Sequence, residues 1–203
     1  GAAWQTKGDY DKAIANYNEA IRLDPNDAVA YYNRGHAWQN KDDLDKAILD
    51  YSKALQLDPK FAPAFYNRGR ASDSKGNYEA ALADFNEAIR LEPKYGRPYD
   101  GRAWIWATCP DSKFRDGKRA VESSLRACEL EAASGRSNIA TLAAAYAEAG
   151  DFENAIQWQL RAVELASNSE KLPQLKRLEL FRSGKPFREE LKKSASVGLL
   201  LAC

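Results

Sequence analysis

NEAIRLDP (Asn18 to Pro25), SKALQLDP (Ser52 to Pro59) and NEAIRLEP (Asn86 to Pro93) are three copies of one helix ending, with Ala20, Ala54 and Ala88 in register and a proline every 34 residues. The same period continues upstream through Tyr10, Leu44 and Tyr78, then Ala13, Ala47 and Ala81, then Tyr17, Tyr51 and Phe85. A repeat of this length predicts a stack of supersecondary units, each packed on its neighbours and unable to bury its apolar face alone.

Within one copy, Ala13, Ile14, Tyr17, Ala20 and Ile21 recur three and four apart, which predicts a helix from about Tyr10 to Leu23 with a single buried face. Small alanines on that face permit close helix approach, and Tyr17 and Ile21 fill the space between helices. Pro25 stops the helix, having no backbone donor and disfavouring a helical residue before it. The next helix is expected near Ala28, with Asp27 as its N-cap. Gly8-Asp9, Asp42-Asp43 and Gly76-Asn77 interrupt the periodicity with turn formers, so each unit reads as a helical hairpin.

These residues resemble the tetratricopeptide repeat, a helix-turn-helix unit of about 34 residues. The resemblance implies an all-α, right-handed superhelical solenoid of antiparallel helix pairs with a C-terminal capping helix. One domain, 1–203, is expected: a truncated repeat at 1–27, full repeats at 28–61 and 62–95, a fourth at 96–134, a fifth at 135–167, and a capping helix with tail at 168–203. The fourth unit starts in phase at Tyr99 and Arg102, but CPDSKFRDG (Cys109 to Gly117) replaces the short turn and Ala120, Ser124 and Ala127 resume about five residues late. Thr141 to Ala166 regains the register, and Leu172 to Phe181 reads as an amphipathic cap with Leu175, Leu178 and Phe181 apolar. The run through RLELFRSGKPFRE resembles the closing module of bacterial members of the family, which implies a bacterial source. Gly1 occupies the phase of Gly35 and Gly69 and the sequence contains no methionine, so it reads as starting in mid-motif.

The composition excludes several classes of function. Thirty basic and 29 acidic side chains are interspersed, with a net charge of +1 and no basic stripe for a phosphate backbone, so nucleic acid is not expected as a partner. No apolar run approaches the roughly 18 residues of a membrane span, and no signal peptide is visible. A soluble compartment is expected, the cytoplasm first. Cys109, Cys128 and Cys203 lack zinc-ligand spacing. The first two fall roughly 18 Å apart along a helical hairpin at 1.5 Å per residue, too far to bridge. His36 is the only histidine, and neither HExxH nor a glycine-rich phosphate loop occurs. No catalytic residue, metal site or cofactor is assigned, and no enzymatic activity is expected. Asp111 and Asp116, flanked by basic residues, read as solvent-exposed loop carboxylates.

In the family architecture the first helix of each hairpin lines a concave groove. The resemblance therefore points to Tyr32, Asn33, His36 and Gln39 in the second unit, Tyr66, Asn67, Arg70 and Asp73 in the third, and Arg97, Asp100 and Trp104 in the fourth. Asn33 and Asn67 resemble two rungs of an asparagine ladder that holds a peptide backbone, although YYNRG and FYNRG equally suit a packing role. Tyr32 and Tyr66 stand where the family's carboxylate clamp would carry a lysine, which argues against a chaperone-tail adaptor. Trp104 and Trp106 must point to different faces, Trp104 to the groove and Trp106 to the core. Arg34 and Arg68 recur at a fixed offset from Asp50 and Asp84, a pattern that predicts ion pairs linking the two helices of one repeat. Ser123 replaces the acid in the fourth unit, so Arg102 is expected either to lack that ion pair or to reach elsewhere. The expected function is a scaffold that binds a protein or peptide segment. The alternatives are a non-catalytic positioning domain of a larger enzyme and self-assembly through the N-terminal hairpin or the apolar tail SASVGLLLAC (Ser194 to Cys203).

Overall fold

The computed structural model describes residues 9–131 and 136–190, and these form two compact units, divided between Glu92 and Pro93. Residues 1–8 and 194–203, on which the self-assembly alternative depends, lie outside the described residues. No strand occurs among the described residues, and none of their helices is long and apolar enough to cross a membrane.

The first unit contains α1 (Tyr10–Leu23), α2 (Ala28–Asn40), α3 (Leu44–Leu57), α4 (Ala62–Ser74) and α5 (Tyr78–Leu91), each packed on the next up to α5. Side chains at the turns start these helices. Asp9, Asp43 and Asn77 accept the amides of Lys12, Lys46 and Ala80, and Asp27 accepts those of Val29 and Ala30, which satisfies donors that a helix start leaves open. The tight turns inside the hairpins need a left-handed residue, supplied by Gly76 (φ 76°) and, at greater steric cost, by Asp42 (φ 62°). The repeat-phase residues build the core: Ala47, Tyr51 and Ala54 are wholly buried, as are Ala81 and Ala88, and Phe85 is nearly so.

Close approach between the helices of a hairpin explains Gly69. A Cβ there would meet Phe85 Cε1 at 2.8 Å and the Ala81 carbonyl oxygen at 3.2 Å. The predicted ion pairs hold the same helices together. Arg34 donates through Nε and Nη2 to Asp50 at 2.8 and 2.7 Å, and Arg68 does the same to Asp84 at 2.8 and 2.7 Å. Each arginine also reaches back one helix, Arg34 to Asn18 Oδ1 at 2.7 Å and Arg68 to Ser52 Oγ at 3.1 Å. Such two-pronged pairs fix orientation as well as distance.

The second unit contains α6 (Gly96–Thr108), a 3-10 turn at Ser112–Phe114, α7 (Gly117–Leu130), α8 (Arg136–Glu148), α9 (Phe152–Leu165) and α10 (Asn168–Arg182). The long loop is tied down by Arg115, which donates to the carbonyls of Cys109 and Pro110 and pairs with Glu148 at 3.2 Å. Its two carboxylates act as caps: Asp111 accepts from Lys113 N in the 3-10 turn, and Asp116 accepts from Arg119 N at the start of α7. Gly117 lies so close to the α8–α9 turn that a Cβ would come within 2.5 Å of the Ala149 nitrogen. Cys109 and Cys128 are reduced thiols. The closing helix α10 starts earlier than Leu172, because Ser167 and Glu170 form a capping box. It packs on α9, and its Leu178 and Phe181 are buried, while Leu175, expected on the same face, is 38% exposed.

Candidate functional site

In the first unit, α2 and α4 are the first helices of adjacent hairpins and they touch, so their side chains form one surface. Tyr32 is held on three sides: its ring lies 4.8 Å from that of Phe61 and 5.9 Å from that of Tyr51, and its hydroxyl accepts a hydrogen bond from Asn67 Nδ2 at 2.9 Å. Asn67 is thereby 7% exposed, turned toward the preceding repeat instead of outward, while Asn33 is half-buried. The two asparagines thus occupy different environments. Tyr51 is fully buried and its hydroxyl donates to Gln39 Oε1 at 2.7 Å; burial raises its pKa far above the ordinary tyrosine value.

His36 and Arg70 remain exposed on this surface. The amide of Asn40 lies 3.1 Å from His36 Nδ1 and donates to its carbonyl at 2.8 Å. Desolvation by neighbouring groups, with the charge of Arg70 second, lowers the imidazole pKa, so His36 is neutral at pH 7. The Arg70 guanidinium lies 5.9 Å from the Tyr66 ring centre. This surface offers aromatic edges, amide and imidazole hydrogen-bonding groups, and an exposed cation.

In the second unit the corresponding surface belongs to α6 and α8, and residues of the chain's own C-terminal segment cover part of it. The non-helical stretch after α10 places Phe187 against Trp104, ring centres 6.0 Å apart, with the Arg177 guanidinium 5.0 Å from the centre of the Trp104 ring and 4.6 Å from that of Phe187. Trp104 Nε1 donates to Glu189 Oε1 at 2.8 Å. The backbone takes part as well: Glu189 N donates to the Thr108 carbonyl at 3.0 Å, and Arg188 Nη1 donates to the Ala107 carbonyl at 3.4 Å. Those carbonyls end α6, where a helix leaves acceptors open and favours positive charge. Arg188 also pairs with Glu148, which binds Arg115 through its other oxygen.

The remaining groove residues of the fourth unit separate. Trp106 is core, as expected, and Arg97 is exposed. Asp100 turns toward α8, where Thr141 hydrogen-bonds to it, and its Oδ1 is buried without a hydrogen-bond partner. Desolvation, opposed by the Thr141 bond and reinforced by Glu131, raises its pKa to about 6. Sequence reasoning missed Phe187, Arg188, Glu189, Glu148 and Arg177 as part of this surface. The available signal is Gly184 and Pro186, which end helical structure and deliver an aromatic and two opposite charges just beyond the cap. Among the described residues, no group of three or more His, Cys, Asp or Glu side chains could hold a metal ion.

Family models for the TPR repeat match residues 6–42, and those for the tetratricopeptide repeat match 28–61, 62–95 and 139–169, together more than half of the chain. No curated protein matches the sequence. Among solved structures, MamA is 24% identical with a TM-score of 0.67, over 80% of this chain and 91% of its own. YrrB, a TPR protein with an unusual peptide-binding site, is 22% identical with a TM-score of 0.66, over 82% of both chains. TTC0263, a thermophilic TPR protein of Thermus thermophilus, is 20% identical with a TM-score of 0.63, over 91% of this chain and 94% of its own. At these identities the structures speak to fold, and they share the helix-pair architecture built above. Period, capped hairpins and family models agree, and the chain belongs to the tetratricopeptide repeat family, whose members serve as scaffolds for protein–protein interaction.

Proposed function

We propose that this chain binds a peptide segment of a partner protein on the surfaces formed by its first helices. The observation that supports this most is the chain's own Phe187–Glu189, seated on α6 by an aromatic contact, a side-chain hydrogen bond to Trp104 and hydrogen bonds to the last carbonyls of the helix. Those are the elements of peptide recognition: an aromatic anchor, a backbone hydrogen bond that sets register, and a charged pair that sets direction. In the first unit, Tyr32, Asn33, His36, Tyr66 and Arg70 offer comparable groups, with Asn67 serving to hold Tyr32 in place. Arg97 and Asp100 belong to the corresponding surface of the second unit, Asp100 as a half-buried contact to α8.

The test is selection of a displayed random-peptide library on the whole protein and on the His36→Ala/Arg70→Ala variant, both exposed positions that leave the core intact. Enrichment of a common motif by the native chain, lost with the double variant, supports the reading. Failure to enrich any motif, or equal enrichment by both proteins, contradicts it.

A further inference from the structure

A tryptophan present in the second and fourth repeats is missing from the third. Trp38, Ser72 and Trp106 stand 34 residues apart, on α2, α4 and α6. In the second repeat the Trp38 ring packs against the cluster of Ala13, Ile14, Tyr17 and Ala37, and Ile14 is 6% exposed. Two cations lie by the ring, Lys46 Nζ at 4.3 Å from its centre and Lys41 Nζ at 5.9 Å. Trp106 is likewise buried, and the guanidinium of Arg119, which takes the place of Lys46 once the longer loop is allowed for, lies 4.1 Å from its ring centre.

The third repeat keeps the surroundings of that ring and loses the ring itself. Ser72 replaces the tryptophan and Ala80 the lysine, and between them opens a cleft of about 550 Å³, within the roughly 300–1,000 Å³ of small-ligand sites. Ile48, the counterpart of Ile14, lines this cleft and is only half-buried. Lys75, the counterpart of Lys41, lines it too and holds Asp45 as Lys41 holds Asp11. Arg68 and Asp84 on the wall are matched to each other, so none of these charges calls for an ionic ligand. Ser72 is 5% exposed, yet among the described residues its hydroxyl has no hydrogen-bond partner, an uncommon state for so buried a group.

We propose that this cleft binds the indole ring of a partner protein's tryptophan. Ile48 supplies the apolar contact that the Ile14 cluster gives Trp38, Lys75 lies beside the ring as Lys41 does, and the Ser72 hydroxyl oxygen accepts the indole N–H. Ala80 and Ala83 leave the entrance open where the second repeat carries the longer Lys46 and Leu49. The cleft shares no residue with the surface of Tyr32, His36 and Arg70 or with that of Trp104, so it stands or falls independently of the peptide-binding reading.

Titration of the whole isotope-labelled protein with N-acetyltryptophanamide, followed by nuclear magnetic resonance, tests the site. The backbone amide signals of Ser72, Ala80 and Ala83 are expected to shift saturably, and N-acetylphenylalaninamide is expected to bind about fivefold more weakly for want of the hydrogen bond. Free indole is titrated as a separate arm: weaker binding than the tryptophan amide assigns the cleft to a side chain, and equal or tighter binding overturns that assignment. Ser72→Ala keeps the cleft open and removes only the acceptor, and is expected to bring the two amides to equal affinity. Ser72→Trp restores the residue of the flanking repeats and is expected to abolish binding while raising the melting temperature. No saturable shift at these amides, an unchanged preference for the indole in Ser72→Ala, or undiminished binding by Ser72→Trp overturns the proposal.

Discussion

Replacing Asp100 with asparagine should flatten the pH dependence of stability in a defined window. The folded chain holds this carboxyl at about 6 against an ordinary 3.8, because its burial on α6 favours the neutral form. As pH rises from below 3.8, the unfolded chain ionises first, so between 3.8 and about 6 the folded state binds more protons and stability falls. At 1.36 kcal/mol per pH unit of difference the total is about 3 kcal/mol, fully lost above pH 6. Carboxylates such as Asp43 and Asp151, whose pKa values are lowered chiefly by hydrogen bonds from Lys46 and Asn154, act oppositely and lose their contribution only as the solution becomes more acidic. Comparing Asp100→Asn with the native chain cancels those shared effects. Urea denaturation followed by circular dichroism at intervals from pH 3.5 to 7.5 should show the variant's advantage growing from near zero to about 3 kcal/mol. A difference that stays constant across this range would refute the raised pKa of Asp100.

Three further outcomes follow from the packing. Gly69→Ala should destabilise the native chain by about 1 kcal/mol, since overpacking against Phe85 and the Ala81 carbonyl outweighs the gain in helix propensity, yet should stabilise a Phe85→Leu background. Paired denaturation curves check the reversal of sign. Arg68→Ala should cost about 3 kcal/mol by leaving the buried Asp84 carboxylate without its fork, and Arg68→Lys should recover only part of it; thermal melts of both variants decide this. Cys109 and Cys128 should resist alkylation at pH 7 in the folded protein and react on unfolding, because Cys109 is buried and burial raises the Cys128 thiol pKa; mass spectrometry of the labelled peptides reads this directly.

Much of the fold is legible in the sequence because it is carried by local chemistry. The α1 boundaries, the Asp27 cap, the displaced restart of α7 and the Arg34–Asp50 and Arg68–Asp84 pairs all follow from spacing within one repeat. The site is less legible because it depends on contacts between repeats. Whether Asn67 faces outward or toward Tyr32 is decided by a residue 35 positions away. Whether Asp100 meets water or Thr141 depends on how α8 lies beside α6. Trp104 is recognisable as a surface aromatic, but Glu189, its hydrogen-bond partner 85 residues on, lies beyond the reach of any periodicity.

The central claim, that a first-helix surface accepts a peptide segment, is tested most directly at Trp104. A Phe187→Ala/Glu189→Ala variant removes the groups with which the chain's own segment grips this surface, and the synthetic peptide GKPFREE (Gly184 to Glu190) is then added to it in solution. The Trp104 indole N–H signal, followed by nuclear magnetic resonance, should move away from its native position in the variant and return toward it saturably as peptide is added. An indole signal unchanged by the double substitution, or one that fails to respond to the peptide, would contradict the account.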